Sequence, residues 1–433
     1  MKRLWVIFSI LTFWLIPAAV NAEEAYTFDP GETEKKPYHI GGYIEFKPIL
    51  FGLDRESAFY KLRFFSDPRG QNLLEANGRI QLEGSYEKNI FRIYAKTNTD
   101  LKASYSGESE RSTFYELYGS VKPLSNLKFD VGKKTMKWGK GYAWNPVAFV
   151  DRPKDPDDPE QAMEGYILAT ADYIRSFDGP LKTFSFTPVL LPVYDHVNSD
   201  FGNNNNLNIA GRFYFLLYDT DIDFMFMTGG SKSDRYGFDF SRNLSTNLEV
   251  HGEYAYFRNS RKNVLDASGI SRQIETQAHS FLIGIRYLTS FDLTTIIEFY
   301  HSDAGFSSDE MKNFYSLIHY GYNLYQSSGK TALLDQAQQL AESGYARANA
   351  MQNYIYLRFS QKEPFDILYF TPSITGMMSA DDQSWSLTPE LLYTGITNWE
   401  FRLRSGIIFG ARNSEFGEKQ NDYRVELRVG YYF

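Results

Sequence analysis

The densest chemistry in this chain lies in one stretch. Trp138-Gly139-Lys140-Gly141-Tyr142-Ala143-Trp144-Asn145-Pro146 runs on into Asp151-Arg152-Pro153-Lys154-Asp155-Pro156-Asp157-Asp158-Pro159-Glu160. Two Trp and one Tyr so close together must pack against something, so Trp138, Tyr142 and Trp144 are read as anchors. The prolines stiffen the acidic part and exclude ladder pairing. Asp151, Asp155, Asp157 and Asp158 admit three readings: solvated charges on a rigid rim, one side of a pore constriction, or a hard-cation site. The last is the least favoured, because the spacing of Asp155, Asp157 and Asp158 follows no known cation loop.

A second group is basic. Arg402, Arg404, Arg424 and Arg428 share two neighbouring alternating segments with Glu400 and Glu426, and Arg212, Arg286, Arg358, Glu249 and Glu253 take similar positions elsewhere. Facing water, such residues set the selectivity of a channel; paired with one another, they brace its wall. Tyr94, Tyr214, Tyr354 and Tyr356 would offer stacking faces for a sugar. Catalysis is harder to assemble. The His residues are His39, His196, His251, His279, His301 and His319, and Cys is absent. His279 and Ser280 are adjacent, hence on opposite faces of a strand, and His251 sits between Glu249 and Glu253 as a network residue would. No enzyme, metal or cofactor is expected.

These side chains share a pattern that fixes the elements carrying them. Tyr423, Val425, Leu427, Val429 and Tyr431 alternate with Asp422, Arg424, Glu426, Arg428, Gly430 and Tyr432 up to the terminal Phe433. The same period of two recurs at 207–218, 248–254, 280–287, 354–360 and 399–409. Charged residues along one face are costly in lipid, so that face must line a wet interior while the aromatic and aliphatic face meets lipid. Composition agrees. A mean hydropathy of −0.41 excludes a bundle of membrane helices, and an aromatic share of 17% in 433 residues excludes disorder. A net charge of −8 makes nucleic acid an improbable partner.

Met1-Lys2-Arg3, the apolar run Leu4–Val20 and the small residues to Ala22 have the layout of a cleaved leader, expected over 1–22. Residues 23–37 read as a short periplasmic extension, too short for a plug domain, and 38–433 as the barrel. The C-terminal strand resembles the closing strand of bacterial outer-membrane β-barrels. That resemblance implies that Tyr431 and Phe433 form the signal read by the outer-membrane assembly machinery. The expected fold is all-β: a transmembrane antiparallel barrel of about 18 strands, with 16 or 20 as the neighbouring counts.

Short connections at 87–89, 123–125, 178–180, 219–221, 242–244, 290–292, 362–364 and 395–398 would face the periplasm. Longer excursions at 51–73, 104–111, 139–163, 193–205, 258–275, 303–348 and 412–421 would face outward. By this count 139–163 is the third outer loop, similar in position and length to the loop that folds inward in general porins. Its Trp-Gly-x-Gly-x-x-Trp-Asn-Pro pattern also resembles uncharacterised proteobacterial barrels near the alginate-export type. The excursion 303–348 carries a capping box at Ser307 and Glu310 and two amphipathic helices, forming either a lid over the mouth or an external hairpin. The function expected is a Gram-negative outer-membrane porin-like channel for small hydrophilic solutes, monomeric or trimeric. The alternative is a scaffold barrel that sheathes a periplasmic partner, such as a polysaccharide-export or electron-transfer complex.

Overall fold

The computed structural model describes residues 36–161 and 163–433; the expected leader and nearly all of the extension 23–37 lie outside them. From Tyr38 onward the chain forms one antiparallel sheet of 18 strands. β1 (Tyr38–Leu53), β2 (Asn72–Lys88), β3 (Phe91–Ser104), β4 (Gly107–Leu124), β5 (Leu127–Lys134) and β6 (Tyr166–Ser176) lead to β7 (Leu181–Val193), β8 (Asn206–Leu217) and β9 (Thr220–Thr228). The ring continues through β10 (Arg235–Ser245), β11 (Leu248–Leu265), β12 (Ser271–Leu288), β13 (Leu293–Ser302) and β14 (Asn353–Gln361). β15 (Phe370–Ser379), β16 (Trp385–Tyr393), β17 (Trp399–Phe409) and β18 (Asn421–Tyr432) complete it.

β18 pairs with β1 from Tyr43↔Tyr432 to Leu53↔Asn421, which closes the sheet on itself. Closure leaves no strand edge, so backbone donors and acceptors are satisfied even where water is excluded. Phe433 finishes the seam: its N–H donates to the Gly42 carbonyl and its carbonyl accepts from the Gly42 N–H, both at 3.0 Å. Tyr431 stands beside it, 5.1 Å from the Trp399 ring. Ile44, Leu427, Ile285 and Leu391 are exposed on the outer face, while Glu426, Arg404, Glu298 and Glu390 are buried on the inner one.

Tight turns link the strands at one rim; at Tyr218–Asp219 both central residues have positive φ, 49° and 56°, as a type I′ hairpin requires. The other rim carries nine connections, here L1 to L9 in chain order. Two expected excursions are not loops. Residues 104–111 reduce to a two-residue turn at Tyr105–Ser106, and 258–275 reduce to 266–270, because β11 and β12 stay paired out to Leu265↔Ser271. These strand ends carry polar cross-strand pairs, such as Arg261 and Glu275 at 2.9 Å, so they lack the apolar face that marks the rest. The turn expected at 242–244 lies at Thr246–Asn247, and two short connections, 229–234 (L5) and 380–384 (L8), carry no turn signal that separates them from the strands.

L1 (54–71) holds α1 (Ala58–Phe64), and L7 (303–352) holds α2 (Ser308–Ser328) and α3 (Ala332–Leu340). The capping box forms: Ser307 Oγ accepts from the Glu310 N–H, and Glu310 Oε2 accepts from the Ser307 N–H at 2.8 Å. Gly329 ends α2 at a φ of 71°. The apolar face of α2, including Met311, Phe314, Tyr315 and Ile318, is buried against α3, against Ala58 and Leu62 of α1, and against Phe416 of L9 (410–420). L7 therefore reaches from the rim at β13–β14 to that at β1–β2 and lies over the mouth. Glu418 of L9 pins the arrangement, accepting from the Ala58 N–H at 2.6 Å and lying 3.3 Å from His319 of α2.

Deleting Phe433 removes both hydrogen bonds to Gly42 and one ring of the seam, but no strand residue. The truncated protein is expected to show reduced outer-membrane levels in fractionated cells, with refolded material retaining its β-sheet signal. Wild-type levels in the membrane would show that the terminal ring is not needed for assembly.

Candidate functional site

L3 (135–165) leaves β5 and turns into the barrel instead of away from it. Its neck is tied by Asp151, whose carboxylate accepts from the N–H groups of Met136 at 2.7 Å and Trp138 at 3.1 Å. Burial lifts this carboxyl above its usual range, and the N–H donors oppose the shift. Trp138 is buried with Val147, Phe149, Leu168, Val189 and Phe201, a cluster on the inner wall of β6 to β9.

Two wall carboxylates then capture the loop backbone. Glu253 on β11 accepts from the N–H groups of Lys140 and Gly141, both at 2.6 Å, from Asn145 Nδ2 at 3.0 Å, and from the Val147 N–H at 3.2 Å. Glu298 on β13 accepts from the N–H groups of Tyr142 and Ala143, the latter at 2.8 Å, and lies 2.9 Å from His251 Nε2. Gly139, at a φ of 101°, lets the chain come this close: a Cβ there would lie 2.7 Å from Glu253 Oε1. Trp144 stacks on Tyr300 with centroids 5.0 Å apart, and it also meets Tyr354 and Tyr356. Tyr142 packs 5.9 Å from Tyr356 and donates its hydroxyl hydrogen to Glu160. Lys140 reaches Asp223 on β9 at 3.0 Å. In the register of β9, β10 and β11, Asp223, Asp239 and Glu253 fall side by side, all buried. This arc of the wall is acidic.

The opposite arc is basic, and L3 shows it the other polarity. Asp158 lies 2.7 Å from Arg428 and 3.9 Å from Arg404, Asp157 lies 3.3 Å from Arg424, and Arg404 also donates to the Asp157 carbonyl. Burial works against the Asp158 carboxylate, but Arg428 and Arg404 hold it below the usual range. The arginines are shared with wall glutamates: Arg402 with Glu390 (3.5 Å) and Glu400 (3.2 Å), Arg358 with Glu390 (3.7 Å), Arg428 with Glu426. The file of Arg is thus a braced wall as well as a basic one.

Several expected positions need correction. Asp151 does not face the arginines; it folds the loop neck. Asp155 makes no arginine contact among the described residues but accepts from the Asp157 N–H at 3.0 Å, beside a cavity of about 210 Å³ that Arg424 and Lys419 also line. Because arginines engage Asp157 and Asp158, the three acids do not form a cation cage. Glu253 is on the lumen side but is covered by L3 and does not line free water. Glu249 accepts from Ser241 at 3.1 Å, and Arg286 stands exposed opposite it in the β11–β12 register, near the turn rim. Arg212 lies 3.7 Å from Asp223. The sequence signalled Glu298 only as one more inward carboxylate, and the roles of Asn145 and Lys154, which donates to the carbonyls of Gly141 and Tyr142, had no signal at all.

No family model and no curated protein matches this sequence. Among solved structures the chain is similar to Pseudomonas aeruginosa OccK5 (OpdH), at 11% identity and a TM-score of 0.53, over 91% of this chain and 98% of that one. It is also similar to P. aeruginosa OccK2 (OpdF) in complex with glucuronate, at 9% identity and a TM-score of 0.53, over 92% and 98%. P. aeruginosa OccK11 (OpdR) matches at 11% identity and a TM-score of 0.51, over 91% and 96%. At such identities the likeness is one of fold: the chain has the closed 18-strand architecture of Occ outer-membrane porins.

Removing Glu298 strands two backbone donors, one buried and one half-buried, worth roughly 2–6 kcal/mol of tethering. Glu298→Ala is expected to free L3, so that trypsin cuts after Lys140 or Lys154 in the folded, heat-modifiable barrel, sites that the parent protects. Equal protection in both proteins would show that the tether does not hold the loop.

Proposed function

We propose that the protein is a porin-like channel of a Gram-negative outer membrane, passing small hydrophilic solutes passively through a lumen narrowed by L3. The observation that supports this most is the path of L3, held inside an 18-strand closed barrel by carboxylates of one wall and arginines of the other. A barrel of this strand number is wide enough to conduct unless something narrows it. The residues proposed to set the constriction are Asp157 and Asp158 with Arg404, Arg424 and Arg428, and Trp138, Tyr142 and Trp144 are its anchors. The OccK2 structure holds glucuronate, which supports small polar solutes as the cargo class here. Nothing besides the Trp138–Pro146 pattern supports a closer tie to alginate export. The long-loop rim is assigned to the cell surface and the tight turns to the periplasm.

One observation favours the second reading, an occluded scaffold barrel. The helices of L7 cover part of the mouth and share a core with the inward loop. Planar-bilayer recording separates the two: stable ohmic steps support the channel, and a silent barrel the scaffold. Deleting Tyr142–Glu160 is expected to raise single-channel conductance several-fold without loss of barrel folding. Asp157→Asn with Asp158→Asn frees Arg424 and Arg428, so the reversal potential in a salt gradient should move toward anion preference. Unchanged conductance and selectivity would put L3 outside the conducting path. A cysteine at Gly179 is expected to resist impermeant thiol reagents on intact cells, and labelling there would invert the orientation.

A further inference from the structure

A second cavity, of about 290 Å³, lies on the β10–β13 side of L3, toward the loop rim. Its lining differs from the rest of the lumen in containing no Asp or Glu, although two cations, Lys154 and Arg235, are part of it. Elsewhere in the lumen Lys140, Arg212, Arg404 and Arg428 each have a carboxylate within 4 Å. Arg235 is held between Phe149 and Phe257, its guanidinium 6.0 and 5.0 Å from the ring centroids. Its Nε donates to the Ser233 carbonyl, and its terminal nitrogens have no acceptor among the described residues. Lys154 donates only to main-chain carbonyls, and neither cation has a carboxylate within ion-pairing reach among those residues. Most of the remaining polar groups are hydroxyls. Serine hydroxyls at 233, 260 and 302 line the cavity with Ser280, whose hydroxyl donates to the His301 carbonyl at 2.9 Å, and with Trp144, whose indole N–H is buried without a partner.

A third unpaired cation adjoins. Lys232 of L5 lies 3.8 Å from the Phe201 ring centroid, and its stem packs on Gly202. Burial, with Arg235 and Arg152 as like-charged neighbours, pushes its ammonium down to about 7, and the nearby acid, Asp200, is engaged by Arg152. Glu253, Glu298 and Asp151 act on Lys154 from beyond ion-pairing reach, which leaves Arg235 and Lys232 as the basic groups without an acid of their own. One carboxylate would leave this pair still positive; a doubly charged oxyanion with three acceptor oxygens matches both the charge and the excess of donors.

We propose that the cavity between L3 and β10–β13 is a binding site for a phosphomonoester. Arg235 would hold the phosphate, with Lys154 and the serine hydroxyls around it and Lys232 adding charge from beyond the lining, and the organic part would lie on Trp144 and Tyr300. The site opens inside the barrel, so a soluble phosphorylated solute is the occupant and not a lipid headgroup. The assignment goes beyond the channel reading and stands without it, because binding requires no conduction.

The test is calorimetry on the full-length barrel in detergent, at constant ionic strength, with glucose 6-phosphate, inorganic phosphate, glucuronate and dihexanoyl phosphatidic acid as probes. Saturable binding of glucose 6-phosphate and phosphate is expected, with glucuronate weaker by about tenfold or more. Arg235→Gln and Lys232→Gln should each weaken phosphate binding by about tenfold, while Arg286→Gln, at the far rim, leaves it unchanged. Heat-modifiable migration on gels confirms that each variant is folded. Glucuronate binding as tightly as glucose 6-phosphate would overturn the phosphate assignment, and preference for the phosphatidic acid would overturn the solute assignment. Absence of saturable binding, or variants that bind like the parent, would remove the site altogether.

Discussion

Two carboxylates buried in a barrel wall must find donors, and this constraint shapes the interior. Glu253 and Glu298 are covered from water, and an uncompensated buried charge is among the costliest features a fold can carry. Their donors come from the backbone of 140–147, with the side chain of Asn145 and the ring of His251. The loop is correspondingly short of partners for its own N–H groups, since prolines and glycines keep it from forming a helix or a ladder. Each side therefore satisfies the other, and the loop is drawn into the bore.

The same logic extends across the lumen with the sign reversed. Past residue 150 the loop offers carboxylates and carbonyls, and the facing arc of β17 and β18 offers Arg404, Arg424 and Arg428. L3 lies as a polar strut between an acidic arc and a basic arc, oriented by both. Because Glu390 and Glu426 also share these arginines, the basic arc keeps its geometry through the wall as well as through the loop. The field across the bore is consequently built from fixed groups with little freedom to reorient, which is the condition for a lumen charge to act on a passing ion.

How much of this the sequence disclosed follows from the physics of each contact. Strand alternation depends on a residue's own side chain and its neighbours two positions away, so the wall was legible, down to the inward arginines and the outward apolar set. The capping box at Ser307 and Glu310 is equally local and was legible for the same reason. The polar ends of β11 and β12 were not, because outside the apolar band a strand needs no alternating faces. The tethers at Glu253 and Glu298 were invisible for another reason. Their partners are main-chain N–H groups more than a hundred residues away, and a backbone donor has no residue type to recognise. Asp151 misled in the opposite direction: as one acid in an acidic run it looked like a pore charge, yet its function is to close the neck of its own loop.

One consequence concerns how the roof and the strut are joined. Trp144 belongs to the same buried cluster as Met311, Phe314, Tyr315 and Tyr345 of L7, through Tyr354, Tyr356 and Met351 at the rim of β14. Large buried aromatic groups of this kind contribute on the order of 2–3 kcal/mol each when removed from water. Lifting L7 away from the mouth uncovers the rings on which Trp144 rests, and withdrawing L3 opens a void beneath Tyr354 and Tyr356. Neither element moves without raising the free energy of the other. The two loops, separated in sequence by eight strands, therefore behave as one packed body, and any opening of the mouth is coupled to the position of the strut in the bore.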